Sequence, residues 1–140
     1  VKQEVRRAVG TTTRQESLQH SAWQLSAQWN LTGEDEGYRA PAPKRPYVVG
    51  GPGWGLLEIA ARVASLAIDP DAFAGAANSY ANPAGSVSKA TAWTLGLNWG
   101  LTQNFKLMAD YEQTSFAGGA ANGADAPTEK VLISRFQFQY

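Results

Sequence analysis

Apolar and polar residues change places at every step through most of this chain, and no other feature limits its fold so strongly. From Ala22 to Thr32 the odd positions are Trp23, Leu25, Ala27, Trp29 and Leu31, while Gln24, Ser26, Gln28, Asn30 and Thr32 hold even ones. A helix would repeat its apolar residues at spacings of three and four, whereas a strand repeats them at two. From Ala90 to Leu101 the odd face is Thr91, Trp93, Leu95, Leu97, Trp99 and Leu101, opposite Ala92, Thr94, Gly96, Asn98 and Gly100. Phe105 to Gln113 continues with Phe105, Leu107, Ala109 and Tyr111 against Lys106, Met108, Asp110 and Glu112. Thr128 to Tyr140 sets Leu132, Ser134, Phe136, Phe138 and Tyr140 against Val131, Ile133, Arg135, Gln137 and Gln139.

Two further segments complete the set. In Trp54 to Ile68, Leu57, Ile59, Ala61 and Val63 alternate with Glu58, Ala60, Arg62 and Ala64. Its good helix formers make a helix the rival there, but the flanking segments favour a strand. Val1 to Ala8 reads as a strand cut at its start, which gives six in all. Thr102-Gln103-Asn104 has the length and composition of a hairpin turn. Thr11 to Ser17, Gly33 to Gly53, Asp69 to Lys89 and Ala117 to Pro127 read as connections, rich in Gly, Pro or small polar residues.

Composition narrows the function classes. The chain has 140 residues, no Cys and one His, so disulfide frameworks, thiol chemistry and multi-His metal sites fall away. No metal or other cofactor is expected. Twelve basic residues balance twelve acidic ones, which gives no general attraction to nucleic acid. No segment approaches the ~20 apolar residues of a membrane-spanning helix, yet a membrane β-barrel averages out to this composition. The amino terminus lacks the apolar run of a signal peptide, so the chain reads as starting inside a longer one.

A two-faced sheet has two settings. In water its apolar face packs on a second layer, and the alternative reading is a soluble β-sandwich binding module with Trp23, Trp29, Trp93 and Trp99 in its core. In a bilayer the apolar face meets acyl chains and the polar face lines water. Trp23, Leu25, Trp29, Trp93, Leu95, Trp99, Tyr111, Phe136, Phe138 and Tyr140 are then lipid-facing, and their aromatic rings suit a headgroup interface. Glu58, Arg62, Lys106, Asp110, Glu112 and Arg135 then line the pore. Segments of about 11 residues also match the length a tilted strand needs to cross hydrocarbon. The bilayer setting is favoured.

Outer-membrane barrels place short turns on the periplasmic side, with the carboxy terminus there too. The 102–104 turn is then periplasmic, but so is the long 33–53 connection. Either a strand hides near Arg45 to Val49, or the segment is an unusually long one able to fold into the barrel.

Smaller motifs carry weaker chemistry. Pairing of Arg62, Lys106 and Arg135 with Glu58, Asp110 or Glu112 is favoured over contact with permeating anions. Glu34-Asp35-Glu36 lacks the alternate spacing of a Ca²⁺ loop and reads as solvated. Gly50 to Gly55 has no Lys-Ser/Thr of a phosphate-binding loop and reads as a turn. Pro43-Lys44-Arg45-Pro46 is a basic spot near the pore mouth or a stiff connector. His20 beside Ser17 or Ser21 is a poor hydrolase dyad, with no third group to orient it, and no enzyme is expected.

The wording of several segments adds a resemblance. Trp29-Asn30-Leu31-Thr32-Gly33-Glu34-Asp35, Pro43-Lys44-Arg45-Pro46, Gly53-Trp54-Gly55-Leu56-Leu57-Glu58-Ile59-Ala60-Ala61-Arg62, Trp93-Thr94-Leu95-Gly96-Leu97-Asn98-Trp99 and the closing aromatic strand occur in an order that resembles the carboxy-terminal part of the phosphate-selective porin O and P family. The resemblance implies an all-β, antiparallel, up-and-down transmembrane barrel of about sixteen strands, of which this chain is the last part. It also implies a bacterial outer-membrane location, a homotrimer, and passive diffusion of small anions such as phosphate. The charged residues assigned to the lumen show no positive excess, so phosphate preference rests on the resemblance. Phe136, Phe138 and Tyr140 resemble the terminal signal read by barrel-assembly machinery.

Overall fold

Alternation becomes antiparallel sheet in the computed structural model, which describes residues 1–35, 42–74 and 79–139. Glu36, Pro41 and Tyr140 lie outside the described residues. Seven strands are formed: β1 (Lys2–Val9), β2 (Thr12–Gln19), β3 (Ser21–Asn30), β4 (Leu56–Ala67), β5 (Val87–Gly100), β6 (Phe105–Gly118) and β7 (Glu129–Phe138). One sheet pairs β1 with β2, and a second runs in the order β3-β4-β5-β6-β7, so neighbours in sequence are neighbours in the sheet. This is an all-β, up-and-down arrangement. Single 3-10 turns at Pro70–Ala72 and Ala121–Gly123 are the helical elements among the described residues.

The count of seven corrects the expected six. Thr12–Gln19 is a strand and not part of a polar connection, because β1 supplies it with a full antiparallel ladder from Val9 opposite Thr12 to Lys2 opposite Gln19. Gly10 and Thr11 form the two-residue link, and Gly10 takes φ 60, a conformation a side chain resists. Strand also extends beyond the expected limits at Val87 to Lys89 and at Thr114 to Gly118. Near Arg45 to Val49 there is no strand among the described residues; the backbone there is turn and bend.

By packing, the chain divides into two units. The first comprises Val1–Gln24, Ala64–Ala92 and Thr114–Glu129. In it the β1–β2 hairpin reaches the connection after β4: the Arg7 guanidinium donates to the Ser79 carbonyl, and Arg14 lies 5.0 Å from the centre of the Tyr80 ring. Asp69 caps the 3-10 turn by accepting from the Asp71 amide and also accepts from the Gln19 amide. Those amides hold its carboxyl below the usual carboxylate range, against a smaller opposing effect of burial. His20 accepts from the Asp69 amide through Nδ1 at 3.2 Å, so that ring atom is engaged by backbone rather than by Ser17 or Ser21.

The second unit comprises Leu25–Val63, Trp93–Gln113 and Lys130–Tyr140. It contains the 101–104 turn, where the Thr102 hydroxyl accepts from the Asn104 and Phe105 amides and the Leu101 amide donates to the Phe105 carbonyl. This is the hairpin expected from Thr102-Gln103-Asn104. Asn104 and Gln139 exchange two hydrogen bonds, at 2.7 and 2.8 Å, which set the end of β7 beside the same turn.

Buried apolar side chains among the described residues are few: Leu18, Leu56 and Ala72. The indoles do not form a core. Trp23 is 57% exposed, Trp29 69% and Trp93 37%, which corrects the sandwich alternative, since a second layer would have covered them.

Candidate functional site: the two faces of the sheet

Side chains along a strand point alternately to opposite faces. In the second unit this rule collects Arg62 of β4, Thr94 of β5 and Glu112 of β6 into one row on the polar face. The Arg62 guanidinium lies 2.7 Å from the Glu112 carboxylate and 3.4 Å from the Thr94 hydroxyl, which itself donates to the same Glu112 oxygen at 2.8 Å. Both partners stay in contact with solvent, with 46% of the Arg62 side chain and 34% of the Glu112 side chain exposed. A pair this wet contributes about 0.2–1 kcal/mol. Its role is therefore to fix where the charges stand more than to hold the sheet together.

Beside this row the surface is hollowed. Ser26, Ala60, Arg62, Thr94, Gly96 and Asp110, with Ala27, Gln28 and Ala61, line a shallow cavity of about 250 Å³. Small residues make the hollow. A Cβ on Gly96 would meet the Asp110 carboxylate at 2.5 Å and the Ala60 methyl at 3.6 Å, so glycine lets Asp110 lie across the strand. The Asn98 amide donates to the Glu58 carboxylate at 2.5 Å, a second polar rung on the same face.

Four of the six charged residues expected on this face thus meet a neighbouring strand, though the pairing differs from expectation in part. Arg62 pairs with Glu112; Glu58 takes a neutral partner, Asn98; Asp110 sits against Gly96. Lys106 and Arg135 form no ion pair or hydrogen bond among the described residues. Thr94 and Asn98, the hydroxyl and amide that anchor the two carboxylates, were not among the expected site residues. Their signal was available, since both are polar residues at even positions of a strand that is otherwise small on that face.

The opposite face is apolar and uncovered. Leu25 is 72% exposed, Leu95 56%, Phe136 73% and Phe138 71%. Trp93 and Tyr111 stack obliquely with ring centres 5.3 Å apart, while Trp99 is half-buried. The cause of the half-burial lies in the segment after β3. The Trp99 indole N–H donates to the Trp54 carbonyl at 2.7 Å, and the Tyr47 ring meets Trp99 edge-on at 5.5 Å. The part of the 33–53 connection that carries Tyr47 is therefore folded against Trp99, at the end of β5.

That connection is tied down at its root. The Leu57 amide donates to the Thr32 hydroxyl, and Glu34, buried, accepts from the Thr32 hydroxyl and from the Lys44 amide at 3.0 Å. Burial alone would raise the Glu34 carboxyl, but these donors and the Lys44 charge outweigh it and hold it below the usual range. The Lys44 ammonium donates to the Gly33 carbonyl at 2.6 Å and lies 3.6 Å from Asp35. Gly51 donates to Val48 in a turn in which Gly50 has φ 75, as the Gly-rich composition suggested.

Comparison with known proteins agrees with this geometry. A search of curated proteins returns no match, and a search of solved structures returns none. The family model described as phosphate-selective porin O and P matches residues 2–140. An antiparallel up-and-down sheet, greasy and bare on one side and charged on the other, is what such a family requires of a wall between lipid and water, and this chain belongs to the phosphate-selective porin O and P family of bacterial outer-membrane proteins.

Proposed function

We propose that residues 1–140 form the carboxy-terminal portion of a single porin barrel through which small anions such as phosphate diffuse passively. Glu58, Arg62, Lys106, Asp110, Glu112 and Arg135 line the water-filled side, and Trp23, Leu25, Trp29, Trp93, Leu95, Trp99, Tyr111, Phe136 and Phe138 face acyl chains. The observation that carries this reading is the Arg62–Thr94–Glu112 row on one face with Leu95 bare on the other. In water the same arrangement would leave the apolar face unsatisfied; in a bilayer it is the stable one. Further strands beside β3 and β7, the end members of the larger sheet, would complete the barrel. Assembly of the complete protein as a homotrimer, and delivery by barrel-assembly machinery through the terminal aromatic strand, accompany the proposal.

The proposed chemistry is positional. Diffusing ions exchange hydration for the oxygens and cations of a charged wall, and fixed guanidinium and ammonium groups favour anions. Arg62 is held by Glu112, while Lys106 and Arg135 present their charges without a described partner. Planar-bilayer conductance of the complete protein, with the anion-to-cation permeability ratio read from the reversal potential, is the test. A conducting, anion-preferring pore is expected, and a complete protein that opens no channel ends the proposal.

A further inference from the structure

The segment from Pro43 to Gly55 is neither strand nor a loop reaching away from the sheet. It folds over the end of β5, held by the Tyr47 amide donating to the Leu101 carbonyl at 2.7 Å, by the Gly55 amide donating to the Arg45 carbonyl at 2.9 Å, and by the Trp99 indole on the Trp54 carbonyl. The close fit is enforced by glycine. A Cβ on Gly53 would collide with the Pro46 carbonyl oxygen, and one on Gly55 with the Gly100 carbonyl oxygen.

So folded, the segment turns apolar side chains outward. Val49 is 85% exposed, Trp54 72% and Val48 56%. Arg45 shares a surface cavity with Trp54, and its guanidinium is exposed and has no hydrogen bond or ion pair among the described residues, whereas its neighbour Lys44 is occupied by Gly33 and Asp35. An indole next to an unengaged guanidinium, with two exposed valines on the same segment, is the composition that headgroup regions select. The ring and methyl groups enter the acyl boundary, and the guanidinium takes phosphate oxygens in bidentate hydrogen bonds.

We infer that the 43–55 segment is an interfacial collar, which binds the phosphate of a membrane phospholipid through Arg45 and seats Val49 and Trp54 at the acyl boundary. This rests on the reading of the sheet as a barrel wall. It goes beyond that reading because a connection, rather than a strand, supplies the contact and adds a headgroup site. The occupant is lipid and not a second protein surface because the segment is continuous, through Tyr47 and Trp99, with the face that meets acyl chains. Short turns lie on the periplasmic side of outer-membrane barrels, and the Tyr47–Leu101 hydrogen bond sets the segment beside the short 101–104 turn, so the leaflet is the periplasmic one.

Residues 1–140 contain no Cys, so in the complete protein, with any Cys outside them replaced by Ser, single nitroxide labels are placed by Val49→Cys, Leu95→Cys and Gln103→Cys, and the protein is reconstituted in vesicles of phosphatidylethanolamine and phosphatidylglycerol. Collision with oxygen and with a water-soluble nickel chelate reports depth. Leu95 is expected in hydrocarbon, Gln103 in water and Val49 between them. Arg45→Gln is expected to increase nickel access at Val49 at least about twofold, and inorganic phosphate in the medium to leave it unchanged. A Val49 label as wet as Gln103, with Leu95 in lipid, overturns the collar alone. A wet Leu95 overturns the barrel wall and the collar with it. A Val49 label that moves to water when phosphate is added assigns Arg45 to the free anion and overturns the lipid site.

Discussion

The Arg62 guanidinium reaches across β5 to place a nitrogen 2.7 Å from the Glu112 carboxylate, and Thr94, on the strand between them, donates to the same oxygen. A cation on β4 and an anion on β6 are thereby brought into one row of an exposed sheet face. Each sets the local potential for the other.

Removing one member of this pair should change ion preference more than stability. Arg62→Gln leaves Glu112 uncompensated beside Asp110 and should move the permeability ratio of the complete pore toward cations; Glu112→Gln should move it toward anions. The double variant should return close to the parent, with a coupling in unfolding free energy of about 0.2–1 kcal/mol, as expected for a solvent-exposed pair. Reversal potentials under a salt gradient measure the first effect and urea unfolding in vesicles the second. Shifts of the same sign for both single variants would show that the row does not face the permeation path.

Two glycines that both look crowded should respond very differently to alanine. A Cβ on Gly55 would collide with the Gly100 carbonyl oxygen, which is backbone, and the residue sits at φ +78. Gly55→Ala should therefore cost about 1–3 kcal/mol from the left-handed backbone alone, with the clash added. At Gly96 the obstacle is the end of the Asp110 side chain, which can rotate, and the cost should stay near 0.5–1.5 kcal/mol. Urea midpoints of the two variants, read by tryptophan fluorescence, rank them. Equal losses would mean that Asp110 has no room to turn.

Acid should release the root of the long connection before it melts the sheet. Burial opposes the Glu34 charge, but the Thr32 hydroxyl, the Lys44 amide and the Lys44 ammonium overcome it, so the folded pKa lies below the unfolded value. The stability this adds is complete above the unfolded carboxylate value, near ~4.3, and is lost as pH falls through the folded value. Protease cutting between residues 34 and 55 should rise in that acid window. Glu34→Gln should cut more readily at neutral pH and show a flatter profile, because its amide cannot accept as the carboxylate does. A parent profile that stays flat to pH 3 would contradict the assignment.

Much of the architecture was legible because alternation at a spacing of two has one structural meaning. Trp93-Thr94-Leu95-Gly96-Leu97-Asn98-Trp99 can hardly be read as anything but a strand. Thr12–Gln19 escaped for the opposite reason. Thr, Arg, Gln, Glu and Ser occupy both of its faces, and only the ladder from β1 makes it a strand, information that belongs to the pairing and not to the segment. The Arg62–Thr94–Glu112 row was half legible. The short turn after Trp99 limits the register of β5 on β6, but 19 residues separate β4 from β5 and leave their register open. The folding of Tyr47 and Trp54 onto Trp99 was not legible, since Gly- and Pro-rich composition says that a chain turns without saying toward what.

The alternation also makes a strong demand on chemistry in the bilayer. Residues 1–140 have no Cys, so in the complete protein, with any Cys outside them replaced by Ser, one can be introduced at successive positions of β5 and exposed to a membrane-impermeant thiol reagent. Thr94→Cys and Asn98→Cys should react within the time of a water-exposed control, while Leu95→Cys and Leu97→Cys should be at least about tenfold slower in vesicles, because thiolate formation and reagent access both require water. The even positions carry a further prediction of sign. A cationic reagent should outpace an anionic one at Asn98, whose neighbour is the Glu58 carboxylate, and the preference should weaken at Thr94, where Arg62 offsets Glu112. Unfolding in urea should erase both the alternation and the charge preference. If Leu95 and Leu97 reacted as fast as Thr94 in intact vesicles, the apolar face would be in contact with water and the sheet would not be a membrane wall.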